Sequence, residues 1–293
     1  MIILRLMGGL GNQMFQYAFG RALALRTNSE LKLDLSFLNN KENVTHTFRD
    51  YELSVFGLSS SIADPSEMKP YEKWTYGIKG KFRNLFPVFF PNKILQERSF
   101  RFDPDAYSFK GNGLAIGYWQ SEKYFLDHAV QIRHDFIFKE NLSEQNEKLI
   151  EKIKSVRSFS MHVRRGDMVH LASAASFHGT CSPHYYHAAV ELIRERLGDI
   201  ELFIFSDDPE YVKETFQFDL PTTIISHNTG KKSFEDMRLM SACKHHIIAN
   251  SSFSWWGAWL NPDPDKIVIA PKQFFVKPDI DTTDIIPESW LRI

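Results

Sequence analysis

The chain is poor in cysteine, with two in 293 residues, Cys181 and Cys243. Two thiols cannot make a disulfide framework. They fit a reducing compartment, where buried thiols act as small apolar groups. The chain also lacks an excess of either charge: 35 Lys+Arg stand against 36 Asp+Glu, a formal net charge of -1. That balance excludes a general nucleic-acid binder or a polybasic membrane binder. No apolar run reaches the roughly 18 residues of a membrane-spanning helix. The opening MIILRLMGGLGNQ carries no basic region followed by a sustained apolar stretch and a cleavage site, so no signal peptide is expected. These absences predict a cytoplasmic protein, compatible with peripheral work at a membrane on a lipid-linked glycan. Fixed-period repeats and low-complexity segments are missing too.

What is present is an ordinary globular composition, 43% hydrophobic and 24% charged, with 25 Phe that suggest large aromatic cores. At roughly 100–200 residues per domain, the length predicts two domains. The opening reads strand (2–7), glycine loop, helix (through Arg26) and second strand (30–35), the start of a βαβ unit and a parallel sheet. The stretch from about 39 to 113 is poorly periodic and proline-rich, and reads as helices and loops. A further strand is expected at 114–117, and a helix capped by Ser121 through His134. A polar helix at 143–154 precedes the expected junction. Beyond it, strands at 158–163, 201–205, 223–225, 246–249 and 266–269 alternate with helices. Pro183 stands at the first position of one such helix, behind Ser182 as its cap. The simplest architecture is α/β, two Rossmann-like domains over 1–154 and 155–293 that face each other across a cleft.

In open α/β sheets, ligands bind beyond the carboxyl ends of the strands. Four polar clusters fall at such ends: 8–13, 162–167, 206–208 and 250–254. The first, GGLGNQ, has the wrong spacing for a dinucleotide loop, because Met14 stands where a third glycine is needed, and Asp34 is the one acidic residue near the ribose position. Its helix start suits an anion or a closely approaching ligand, or else it is a tight turn capped by Asn12. The second, HVRRGD, sets Arg164 and Arg165 side by side at a strand end. Guanidinium forks pair bidentately with phosphate oxygens, so two of them suit a pyrophosphate. The embedded RGD tripeptide reads as chance in such a protein. In the third, Asp208 precedes Pro209 and reads as a helix cap, which leaves Asp207 to contact an arginine or a ligand. In the fourth, serines open an aromatic helix and form a second phosphate seat, while Trp255, Trp256 and Trp259 read as packing.

Metal signatures are weak. Cys243, His245 and His246 lack zinc spacing. The D-x-D triplets at 103–105, 263–265 and 279–281 read as turns, two of them with a central proline.

Taken together, GGLGNQMFQYAFGRAL, GYWQSEKYF, HVRRGD, FSDD and NSSFSWWGAWL resemble the bacterial α-1,2-fucosyltransferases of glycosyltransferase family 11, in the family's order and over nearly the whole chain. The resemblance implies a GT-B-type fold with the donor mainly on the C-terminal domain. It implies inverting transfer of L-fucose from GDP-β-L-fucose to the 2-hydroxyl of a galactose-terminated oligosaccharide, in surface glycan synthesis, with no metal required. It also assigns roles. Arg164 holds the β-phosphate as the bond breaks, and Arg165 positions the donor. His162 and Asp236 contact guanine. Ser251 and Ser252 hold phosphate, with Asp207 also on the donor side. Asn12 and Gln13 belong to the fucose or acceptor side. Asp167 is a candidate general base or an orienter of the arginines, and His170 and His178 are weaker base candidates. Three rivals stand beside this reading: a GDP-sugar transferase of other linkage, a non-catalytic nucleotide-sugar-binding protein, and a nicotinamide oxidoreductase. The missing third glycine argues against the last.

Overall fold

The computed structural model describes residues 1–40, 49–75, 93–166, 179–277 and 279–293. The expected positions Asp167, His170 and His178, and most of the basic, Phe-rich stretch 79–93, lie outside the described residues. The chain divides into two compact units, Met1–Lys139 and Glu140–Ile293. The division precedes the polar helix Glu144–Ser155, rather than following it as expected from the sequence. That helix packs on helix Phe234–Ala242 of the second unit.

The first unit holds a parallel sheet in the order β3-β2-β1-β5-β4, built from β1 (Ile2–Arg5), β2 (Leu31–Asp34), β3 (Ser61–Ile62), β4 (Lys93–Gln96) and β5 (Gly113–Ile116). Apolar runs at β1, β2 and β5 made three of these strands readable. β3 and β4 lie in the stretch read as helices and loops: β3 has two residues, and β4 follows a run of prolines. Helix Leu10–Thr27 is buried along most of its length, which explains its weak amphipathic pattern. Ser121 caps a short 3-10 turn, Glu122–Tyr124, rather than a helix through His134. The α-helix there is confined to Ala129–Asp135.

The second unit contains β6 (Ser158–Val163), β7 (Glu201–Ser206), β8 (Thr222–Ile225), β9 (His245–Ile247), β10 (Val268–Ala270) and β11 (Leu291–Arg292), all parallel in the order β11-β10-β9-β6-β7-β8. Counted from β6 as the first strand, this is the 3-2-1-4-5-6 order of the doubly wound nucleotide-binding sheet. The strand order of this second sheet reverses between β6 and β9, the point where such a sheet opens a crevice at its carboxyl edge. Every residue of β6 is buried, as expected of a strand covered on both faces. Its core is closed by Tyr186, Ala189, Val190 and Ile193 of helix Pro183–Leu197. Among the described residues, no helix is long and apolar enough to cross a membrane.

Candidate active site

Strand β6 delivers its carboxyl end as His162, Val163, Arg164 and Arg165, and parallel pairing sets Val163 opposite Ser206 at the end of β7. The loop after β7 therefore meets the arginines. Asp207 Oδ2 lies 2.6 Å from Arg164 Nη1, and its Oδ1 accepts the Arg165 backbone N–H at 2.8 Å. Asp208 caps helix Pro209–Thr215 by accepting the Tyr211 N–H at 3.1 Å, as its place before Pro209 predicted. Its other oxygen sits 3.1 Å from Arg165 Nε, and that guanidinium lies over the Tyr211 ring at 3.6 Å. Gly166 follows because a Cβ there would overlap Asp207 Oδ2. Of the two partners expected for Asp207, an arginine or a ligand, the structure shows the arginine: its carboxylate holds Arg164 and the Arg165 backbone.

His162 is buried, and its Nδ1 has no hydrogen-bond partner among the described residues. Burial, reinforced by the Arg164 charge and opposed by Asp207, holds the imidazole well below its usual pKa, so it is neutral near pH 7. A buried nitrogen left unpaired is uncommon enough to need a reason, and a ligand that completes it is one. Phe253 lies beside the ring, at 5.8 Å between centroids.

The end of β9 leads to Asn250 and the serines. Ser251 caps helix Ser252–Leu260 by accepting the Phe253 N–H at 3.3 Å. Ser252 stands on the first turn with its side chain partly exposed. Buried Asn250 ties this edge to Gly179 and Phe274 by donating to their carbonyls. A cavity of about 420 Å³ opens at the ends of β9 and β10, lined by Cys181, Ser182, Asn250, Lys272 and Gln273 among others. Its lining shares Asn250 with the serine cluster and includes none of His162, Arg164, Arg165 or Asp236. The three tryptophans of the helix are buried against one another and do not line a ligand surface.

Asp236 stands on the first turn of helix Phe234–Ala242. Its Oδ1 accepts from Asn228 Nδ2 at 2.8 Å, Asn146 Nδ2 donates to Asn228 Oδ1 at 3.0 Å, and His227 Nε2 lies 2.7 Å from Asn146 Oδ1. Asn146 is buried, so this chain of amides fixes the carboxylate from behind. Burial raises the Asp236 pKa to about 7, against the hydrogen bond from Asn228, which lowers it.

In the first unit, Gly9 rather than Asn12 is the cap position of the first helix. Glu52 fills that helix start: its Oε2 accepts the Leu10 N–H at 2.9 Å, so no anion seat is left there. Gln13 is fully buried. Its Nε2 donates to the carbonyls of Gly8 and Asp50, both at 2.8 Å, and its Oε1 accepts the Glu52 N–H at 3.0 Å. Gln13 therefore staples the loop and is not presented to a sugar, contrary to its expected place on the acceptor side. Asn12 is partly exposed, and its Oδ1 accepts from Gln120 Nε2 at 2.8 Å. Asp34 is buried in an ion pair with Arg5 at 2.7 Å, which removes the one acidic residue a nicotinamide reading needed.

Sequence reasoning missed Glu97. It follows β4, and its two oxygens accept the N–H groups of Tyr118 at 2.7 Å and Trp119 at 2.8 Å. Trp119 has a φ of 56°, a conformation that costs a non-glycine residue about 1–3 kcal/mol and concentrates at functional sites. Only its neighbour, the GYWQ motif, was visible in the sequence. Of the remaining acidic motifs, Asp103 caps helix Pro104–Tyr107 and forks with Arg98, while Asp263 and Asp281 close local turns. Among the described residues, no group of three or more His, Cys, Asp or Glu side chains is placed to hold a metal ion.

Comparison with known proteins places these residues in a lineage. The sequence profile described as Glycosyl transferase family 11 matches residues 83–293. An alpha-1,2-colitosyltransferase of Escherichia coli is 38% identical, with 100% of this chain and 98% of that protein covered. The O-antigen biosynthesis glycosyltransferase WbnK, also of Escherichia coli, is 31% identical over 98% of this chain and 99% of its own length. Among solved structures, the selenomethionine form of fucosyltransferase NodZ from Bradyrhizobium superposes with a TM-score of 0.52 at 16% identity, covering 89% of this chain and 92% of that one. That likeness is one of fold, the GT-B type.

Proposed function

The chain belongs to glycosyl transferase family 11, and on that premise we propose that it transfers L-fucose from GDP-β-L-fucose to the 2-hydroxyl of a galactoside, with inversion, in bacterial surface glycan synthesis. The observation that carries this reading is the arginine pair at the β6 end, held by Asp207 and Asp208 at the switch point of a doubly wound sheet. In a transfer of this kind the acceptor oxygen attacks the anomeric carbon as the bond to the β-phosphate breaks. The transition state has oxocarbenium character, and negative charge grows on the diphosphate. Arg164, fixed in place by Asp207, meets that charge without reorganising, which stabilises the transition state more than the ground state. Arg165 positions the donor, with its Nε edge against Asp208 and its face on Tyr211. Ser252 and the hydroxyl of Ser251 add phosphate contacts at the helix start. His162 and Asp236 recognise guanine: the carboxylate accepts from the base's N–H donors, and the orphan imidazole nitrogen gains a partner. Asn12 serves the sugar side. Asp167, two positions beyond Arg165, is either the base or an orienter of the arginines. The arginines stand in for a metal, so none is required.

A second reading keeps the chemistry and changes the sugar. Colitose is fucose without its 3-hydroxyl, and the 38% identity to an alpha-1,2-colitosyltransferase favours it. Purified protein incubated with lactose and either GDP-fucose or GDP-colitose, with and without EDTA, tests both. An α-1,2-fucosylated product formed equally in EDTA supports the first reading. Transfer from GDP-colitose alone replaces it with the second. Binding of neither donor overturns both.

A further inference from the structure

The second unit holds a chain of side-chain amides that the transfer chemistry leaves unexplained. It lies at the carboxyl edge of the sheet, where ligands bind in such folds. β8 ends there at Ile225, and its loop carries His227 and Asn228 toward the helix that starts at Phe234. Asp236 stands on the first turn of that helix. Helix Glu144–Ser155 packs on it and brings Asn146, on its own first turn, to the same place.

The chain has one direction. His227 Nε2 lies against Asn146 Oδ1, the Asn146 nitrogen donates to Asn228 Oδ1, and the Asn228 nitrogen donates to Asp236 Oδ1. An ionised carboxylate only accepts, so the nitrogen of Asn228 has to face it. Turned over, Asn228 would set its oxygen against the carboxylate and its NH2 against that of Asn146. Asn146 therefore blocks the flip, and the Asn228 nitrogen lies 3.5 Å from Asn146 Oδ1 in the same sense. Asn146 is 1% exposed. Burying an amide so deeply is unfavourable unless its bonds are made, and an apolar residue would fill the position without that cost. A buried amide committed to the orientation of one loop asparagine points to a demand on Asp236.

Asp236 itself is partly exposed. Asn228 holds its Oδ1 from behind, and among the described residues none bonds its Oδ2. Burial works against the ionised carboxylate, and the Asn228 bond favours it. That bond also fixes the plane in which the two oxygens lie. Guanine offers two parallel donors, N1–H and an N–H of the 2-amino group, which a carboxylate takes side by side, one on each oxygen. Hypoxanthine keeps N1–H and lacks the amino group. Adenine sets an acceptor where guanine has N1–H. A carboxylate free to turn still makes one such bond, whereas taking two at once needs the plane held.

We infer that Asn228, locked by Asn146, is a positioning and specificity residue: it holds the Asp236 carboxylate in the plane of the base edge, so that the donor site selects a base with two adjacent N–H donors. The inference rests on the guanine contact proposed above and adds the residues that make it selective.

The test measures binding of GDP and of inosine diphosphate by calorimetry, together with melting, for wild type, Asn228→Asp, Asn228→Ala and Asp236→Asn. Donor KM and kcat are read with GDP-fucose and lactose. Asn228→Asp keeps the shape and the bond accepted from Asn146, and removes only the donor to Asp236. Wild type is expected to prefer GDP about tenfold or more, the weight of one hydrogen bond to a charged group. Both Asn228 variants are expected to weaken GDP about tenfold and to bring that preference toward one, with the loss falling on donor KM more than on kcat. Lowered melting with the GDP preference kept means that Asn228 only ties the loop, and overturns the inference. Wild type that binds the two nucleotides alike overturns it too. Asp236→Asn tells its failure from that of the parent reading. GDP binding unchanged in Asp236→Asn removes the guanine contact and the inference with it. GDP binding lost in Asp236→Asn and kept in both Asn228 variants overturns the positioning role alone. Should the Asn228 variants fail to fold, Asn146→Asp decides, since it still accepts from His227 but cannot orient Asn228: a reduced GDP preference supports the role and an unchanged one refutes it.

Discussion

Asp207 holds Arg164 with one oxygen and the backbone of Arg165 with the other, at 2.6 and 2.8 Å. One carboxylate thus locks the strand end and aims the guanidinium. The Arg164–Asp207 pair is about a quarter exposed on each side, so the ion pair itself contributes little to stability, about 1 kcal/mol or less. Arg164→Ala is therefore expected to melt within a few degrees of wild type while losing about 100–1000-fold in kcat. Lys at the same position, a point charge without the fork, is expected to recover only part. A purely structural arginine predicts the reverse, lost stability with turnover kept. Thermal melts and steady-state rates on the same preparations separate the two.

If Asp236 contacts guanine as proposed, donor binding depends on pH. Its folded pKa of about 7 lies above the ordinary value of 3.8. Between those values the folded state binds more protons than the unfolded, so this group's contribution to stability falls as pH rises through that window and is flat above it. In the guanine contact proposed above, the carboxylate accepts from the base and so must be ionised. GDP affinity is thus expected to weaken up to tenfold for each pH step of one below 7, with protons released on binding. Asp236→Asn is expected to abolish that slope, weaken GDP binding and stabilise the fold near pH 7 by about 2 kcal/mol. Calorimetric titrations of GDP in buffers of different ionisation enthalpy measure both affinity and proton release.

The four strand-end clusters were legible because each side chain follows directly from a buried strand whose pattern is plain in the chain. Arg164, Asp208 and Ser251 sit as a strand end and two helix caps dictate. What escaped reading was set by partners distant in sequence. Glu52 fills a helix start 42 residues upstream, and that pre-empts the anion seat which GGLGNQ alone suggests. Gln13 looks like a loop residue, and only the fold brings the carbonyl of Asp50 to its amide. β4 has four residues, and its pairing with β5 is what makes it a strand and gives Glu97 its neighbours. The aromatic helix was legible in kind, since a segment apolar all round is a buried one.

That helix carries a prediction about stability. Trp256 is fully buried, edge-on to both Trp255 and Trp259 at 5.0 and 5.2 Å. Trp256→Ala removes packing on both sides and is expected to cost about 3–5 kcal/mol. Donor KM measured well below the lowered melting point should stay near that of wild type, because the ring faces the core and not a base. A donor KM raised tenfold with little change in melting would assign the ring to ligand stacking.

Adjacent residues Asn12 and Gln13 should respond in opposite ways. Gln13 satisfies two carbonyls and one N–H with a single amide inside the core. Gln13→Leu keeps the approximate volume and strands all three backbone groups, each costing about 1–3 kcal/mol when left unpaired. The expected outcome is a melting point lowered by many degrees, with activity lost in proportion to the unfolded fraction. Asn12 is partly exposed and bonds Gln120 alone among the described side chains. Asn12→Ala is expected to melt within a few degrees of wild type. It nevertheless frees the Gln120 amide to rotate, at the turn where Glu97 holds Tyr118 and Trp119. Acceptor KM should then rise several-fold while GDP binding is unchanged. Acceptor titrations at saturating donor, read beside melting curves for both variants, distinguish a sugar-facing amide from a second staple. If Asn12→Ala destabilises as strongly as Gln13→Leu, the whole loop is structural and the sugar contacts lie elsewhere on that edge of the sheet.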